Sequence, residues 1–134
     1  MQNFRNLAVW EKAHQFVLEV YRVTEHFPRR EMFGLTSQMR RASSSIAINL
    51  AEGCGRTQPE FARFVQIAFG SASEVEYELL LAHDLAFLGD ELYKRTMSQV
   101  VEIKRMLNSL HRTIQRDVAT SQGASAQASK RLEH

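Results

Sequence analysis

Apolar side chains recur at steps of three and four along most of this chain. Trp10, Ala13, Val17, Val20 and Phe27 fall on one side of a helix with Thr24 between them, and Glu11, Gln15, Glu19, Arg22 and His26 fall opposite. Phe27-Pro28 ends that segment, because proline disfavours helical geometry in the residue before it. Leu35, Met39, Ala42, Ile46 and Asn49 repeat the pattern, and Gly53 and Gly55 close the second segment. Thr57-Gln58-Pro59-Glu60 places a capping threonine three residues before a glutamate with proline in the first turn, which starts a third helix. That helix runs through Phe61, Val65, Ala68, Ala72, Val75, Leu79, Ala82 and Ala86 to a stop at Gly89. A fourth takes Tyr93, Met97, Val100, Ile103, Leu107, Leu110 and Ile114, with Ser98, Glu102, Arg105, Ser109, Arg112 and Arg116 along a polar edge.

Four such segments with short turns predict an all-α, antiparallel up-down-up-down four-helix bundle, with helices over about residues 8–27, 32–53, 58–88 and 90–117. No strand and no internal repeat is legible. From Val118 the composition turns to Ala, Ser, Gln and Thr with nothing large to bury, so residues 118–134 are expected to be a disordered tail. Its closing Leu132-Glu133-His134 resembles the start of a purification tag. Within the second helix, Ser43, Ser44, Ala47 and Ala51 form a small-residue face that lets a neighbouring helix come close.

Length and composition narrow the class further. At 134 residues the chain holds one domain, and 44% hydrophobic with 24% charged residues is a globular balance. No apolar run approaches a membrane span, the N-terminus lacks the layout of a secretory signal, and the single Cys54 cannot make an internal disulfide. A cytoplasmic protein is the expectation. The net charge of +2 hides a separation: residues 58–89 carry −4, whereas 1–57 carry +3 and 90–117 carry +2.

Candidate chemistry is sparse. Glu11 and His14 have the Glu-x-x-His spacing of bundle metal sites, but such a site needs a second copy, and Val23, Leu80 and Asn108 precede the other candidate histidines. No metal and no cofactor is expected. Glu76 and His83 can share a side of the third helix, as a polar contact more than as catalysts. There is no nucleophile elbow or phosphate loop, and Gly53-Cys54-Gly55 sits at the wrong end of a helix to cradle phosphate, so a non-enzyme is expected. Lys94, Arg95, Arg105, Arg112 and Arg116 in the fourth helix are the candidate nucleic-acid contacts. The alternatives are a solvated face or ion pairs between subunits with the acidic third helix.

The stretch "FGLTSQMRRASSSIAINLAEGCGR" followed by "EFARFVQIAFGSASEVEYELLLAHDLAFL", after an opening "FRNLAVWEKA", resembles the small four-helix-bundle proteins found as reading frames within intervening sequences of bacterial 23S ribosomal RNA genes. The residues that carry the resemblance are Gln38-Met39-Arg40-Arg41-Ala42, Asn49-Leu50-Ala51-Glu52-Gly53 and Gly70-Ser71, within a match over residues 4 to about 115. The resemblance implies a homopentameric ring and kinship with the accessory bundle protein of diversity-generating retroelements, which works with a reverse transcriptase and RNA. It marks Arg40, Arg41, Asn49, Glu52 and Gly53 as an assembly or structural motif in which Asn49 and Glu52 cap backbone or bind an arginine, Arg41 or Arg56. The expected partners are further copies of the chain together with RNA or DNA, and no membrane. The alternative is a protein-interaction scaffold that binds no nucleic acid.

Overall fold

A computed structural model describes the backbone of residues 3–133 and their side chains apart from 125, 126 and 129–133. Four helices account for almost all of it: α1 (Ala8–Thr24), α2 (Leu35–Cys54), α3 (Gln58–Asp84) and α4 (Asp90–Glu133), with short 3-10 turns at Phe4–Asn6 and Arg29–Glu31. Among the described residues there is no strand.

Contacts across the α2–α3, α3–α4 and α1–α4 pairs run in opposite order along the two helices, as an up-down bundle requires. Gly53 lies against Phe61 and Phe64 while Ser45 meets Ser71. Glu76 meets Lys104 while His83 meets Asp90. Glu19 meets Arg95 at one end of α1, and Leu7 and Val9 share a pocket wall with Leu110 and Thr113 at the other. The α2–α3 and α3–α4 seams are extensive, and α1–α4 is the looser join.

The predicted stripes become one core. Phe16, Met39, Ile46, Leu50, Leu79, Ile103 and Leu107 are fully buried, and Ala13, Ala68, Ala72 and Ala82 let the backbones approach. Ser43 is fully buried with its hydroxyl donated to the Arg40 carbonyl, and Ser45 shares a hydrogen bond of 2.8 Å with Ser71 on α3. The serine run therefore combines close packing with a polar tie between helices.

Three boundaries differ from the sequence expectation. α1 stops at Thr24, where the side-chain hydroxyl turns back onto the Val20 carbonyl at 2.6 Å, and a further turn at Arg29–Glu31 delays α2 to Leu35. α3 ends at Asp84, before Gly89: the left-handed residue is Ala86, φ 64°, with Ala86 N–H donating to His83 and Phe87 N–H to Ala82. That is the glycine-type helix ending built with alanine. The expected tail is also corrected, since α4 runs on to Glu133. Residues 119–124 are exposed, so tertiary packing does not impose this, but the segment has no proline and is rich in helix-compatible Ala and Gln. The tag-like Leu132-Glu133-His134 lies outside the described side chains.

Candidate functional site

Two surfaces hold the residues that the sequence singles out. The first is the outer face of α4. Lys94, Arg105, Arg112 and Arg116 are all exposed and fall within one stripe pointing away from the buried row Val100, Ile103, Leu107 and Ile114. At the helical rise the stripe spans about 33 Å. Arg105 is 3.6 Å from Glu102, its neighbour on the same helix, whereas Lys94, Arg112 and Arg116 have no ion pair among the described residues. Arg95 does not belong to this stripe. Its Nε lies 3.1 Å from Glu19 Oε1, a buried carboxylate on α1 that also meets Arg22 at 3.5 Å. Arg95 therefore neutralises a charge at the α1–α4 join.

The second surface is the α2–α3 seam, where the motif residues lie. Gln38, Arg41, Ser45, Asn49 and Glu52 repeat at helical spacing along one edge of α2, and the first three of them face Ser71 and Glu74 of α3. Gln38, Arg41, Ala42, Ser45, Ser71 and Glu74 line a cleft of about 490 Å³. Of the two alternatives for Asn49, backbone or an arginine, the structure has backbone, and Arg41, Asn49 and Glu52 do not join one another. The Asn49 amide donates to the Ser45 carbonyl at 2.8 Å and to the Ser45 hydroxyl at 3.0 Å, because one helical turn brings these two groups together. Glu52 is exposed, and Arg56 lies 3.8 Å from Glu60, so Glu52 receives neither arginine. Arg40 faces the other way, donating to Thr24 Oγ1 at 2.9 Å and lying over the Tyr21 ring, where it pins α2 to the end of α1.

Gly53 has a steric reason. A Cβ there would sit 2.6 Å from Phe64 Cβ and 2.9 Å from the Phe61 ring.

Sequence reasoning overlooked Glu78. It follows Ser71 and Glu74 on the same stripe of α3, is only 4% exposed, and its Oε1 has no hydrogen-bond partner. Burial, reinforced by Glu74, pushes its carboxyl up to about 7. The signal was present as Ser71, Glu74 and Glu78 at spacings of three and four, but an amphipathic reading counts such carboxylates as solvated.

The other histidines and carboxylates weighed for chemistry in the sequence have local partners. Glu76 accepts from Lys104 at 2.8 Å, and His83 Nε2 lies 2.7 Å from Asp90 with its ring stacked on Tyr93, so Glu76 and His83 do not form a pair. His14 stacks on Trp10, and Glu11 accepts from Gln15. No cluster of metal-ligating side chains occurs among the described residues. Cys54 is buried, which raises its thiol above the ordinary value and makes it a poor nucleophile. No described helix is long and apolar enough to cross a membrane.

The class these features define is a four-helix bundle with a polar α2–α3 seam and a basic outer helix. The model of the 23S rRNA-intervening sequence protein family matches residues 5–109, and the chain belongs to that family. The fold is similar to the crystal structure of a protein of unknown function from the S23 ribosomal protein family of Bacteroides thetaiotaomicron. That likeness has a TM-score of 0.72 at 24% identity and covers 78% of this chain and 95% of the other. None of the curated proteins matches the chain.

Proposed function

We propose that the protein is a non-enzymatic, cytoplasmic accessory bundle that self-associates, as a homopentamer, and attaches to RNA or DNA through the outer face of α4. The observation that carries the nucleic-acid reading is the stripe of Lys94, Arg105, Arg112 and Arg116, four exposed cations along one helix, with Glu102 near Arg105 and Asp90 one turn before Lys94. One subunit offers too few phosphate contacts for tight binding, and copies linked in a ring multiply them at high effective concentration. Self-association is supported by apolar side chains left in water on α2 and α3: Ile48, Ile67, Tyr77 and Leu80. The same residues favour the second reading, a protein-interaction scaffold without nucleic acid.

The test is a polarisation titration of single-stranded RNA and duplex DNA against the intact protein over a range of salt. Affinity that falls steeply with salt, and is lost in an Arg112→Glu, Arg116→Glu variant of unchanged mass, supports attachment. No binding at about 50 mM salt, where phosphate contacts are strong, leaves the scaffold. Light-scattering mass tests self-association separately.

A further inference from the structure

Beside the cationic stripe a groove of about 250 Å³ lies between α3 and α4, lined by Val65, Gln66, Phe69, Leu107, Asn108 and His111. Its floor is apolar: Val65 and Leu107 are buried, and Phe69 packs against the core. Lys104, held 2.8 Å from Glu76, lies over the Phe69 ring with its Nζ 4.9 Å from the centroid, which fixes the ring in place. The rim is polar. It carries the carboxamides of Gln66 and Asn108 and the imidazole of His111, and among the described residues none of these three has a side-chain hydrogen bond or an ion pair. Asn108 follows Arg105 by three residues and precedes Arg112 by four, so a cation of the stripe stands about one helical turn to either side of the groove mouth.

We infer that this groove receives one unpaired base of a single-stranded nucleic acid whose flanking phosphates lie on Arg105 and Arg112. The inference rests on the attachment of the α4 stripe to nucleic acid and names what that site reads. Three features agree on the ligand. The faces of a base are apolar and its rim carries hydrogen-bond donors and acceptors, which suits an apolar floor edged by groups that each donate and accept. A carboxamide presents N–H and C=O side by side, the arrangement that meets a base edge with two hydrogen bonds. No lysine, arginine or carboxylate lines the groove, whereas two arginines border it, so the site fits a neutral group carried on an anionic chain. In a duplex the same base edges are paired and stacked, and only an unpaired base can enter.

The test separates base from phosphate. The full-length protein is titrated by polarisation with a mixed-sequence single strand and with an abasic strand of equal length, which keeps the phosphates and lacks the bases. The base-bearing strand should bind about tenfold or more tighter. A Gln66→Ala, Asn108→Ala double variant of unchanged helicity and mass should lose that difference and keep the salt dependence, since its phosphate contacts remain. Equal affinity for the two strands, or a preference that the double variant retains, overturns the groove and leaves the stripe as a phosphate contact alone. A second arm follows the side-chain amide signals of Gln66 and Asn108 while nucleoside monophosphates, and inorganic phosphate as control, are added. Saturable shifts with a nucleotide and none with phosphate support the groove, and amides that respond to no nucleotide overturn it. If no strand binds at about 50 mM salt, the attachment reading falls, and the amide signals still decide the groove by themselves.

Discussion

Gly53 of α2 and Phe64 of α3 approach so closely that a methyl group on Gly53 would lie 2.6 Å from Phe64 Cβ. The atoms in the way are a Cβ and a ring carbon, which are tied to the α3 backbone and cannot swing aside. Gly53→Ala gains helix propensity but must push the two helices apart. A net loss of about 1–2 kcal/mol is expected, read as a lower thermal midpoint. An unchanged midpoint would mean that the seam is looser than this geometry.

Gly70, in the middle of α3, is the internal control. Nothing lies within 4 Å of a Cβ placed there, so Gly70→Ala in an isolated subunit should stabilise by up to about 1 kcal/mol through helix propensity alone. Self-association changes that expectation if the outer face of α3 is covered. A variant more stable at low concentration but lower in mass would locate a subunit contact at Gly70.

Ala86 occupies a left-handed conformation with φ 64°, where a side chain is strained and glycine is not. Ala86→Gly should therefore raise stability by up to about 1 kcal/mol, partly offset by the freer unfolded chain, without changing the fold. Chemical denaturation with an unchanged slope and a higher midpoint is the expected result.

Ala86 also marks the limit of what the sequence makes legible. Helix number, order and core face follow from steps of three and four, and the buried row of Val100, Ile103, Leu107 and Ile114 lies where its spacing puts it. The end of α3 was hidden because glycine is the usual left-handed residue, and Gly89 drew the boundary that Ala86 makes. The end of α4 was hidden for another reason: absence of a buried face argues against packing, but it does not unwind a proline-free run attached to a long helix. In the seam, helical spacing brings Arg41, Asn49 and Glu52 to one edge of α2. Which of them touch depended on Ser45 and on α3, since a polar side chain takes the nearest partner. Glu78 escaped because its burial is a tertiary fact with no local sign.

His83 ties the turn after α3 by pairing with Asp90 at 2.7 Å. The Asp90 partner raises the imidazole above its ordinary value, and the imidazole in turn lowers Asp90. For the raised histidine, the added stability is fully present below its unfolded value of 6.5 and is lost as pH climbs through the folded value. For the lowered aspartate, it is present above 3.8 and lost as pH falls through the folded value. The pair should therefore help most between these limits, and His83→Gln should cost stability near pH 5.5 with little effect at pH 9. Equal losses at both pH values would show that the ring acts through its stacking on Tyr93 and not through charge.

Glu78 gives a pH dependence with a different origin. Its carboxyl titrates at about 7 in the folded chain against 4.5 when unfolded, so between those values the folded state holds a proton that the unfolded state has released. Stability must then decrease as pH rises across that window, and level off above it, because the ionised carboxylate is the form that burial penalises. A shift of this size corresponds to about 3 kcal/mol at most, shared with whatever relaxation admits water to the carboxylate. Glu78→Gln keeps the shape and removes the charge. The variant should match the wild type at pH 4.5 and exceed it at pH 8, with the difference growing between the two. His83 also loses stabilising charge as pH rises, but from a higher starting pH, so the Glu78→Gln difference measured from pH 4.5 to 6.5 isolates the carboxyl. A wild type that is equally stable across that interval would mean that folding does not raise the Glu78 carboxyl.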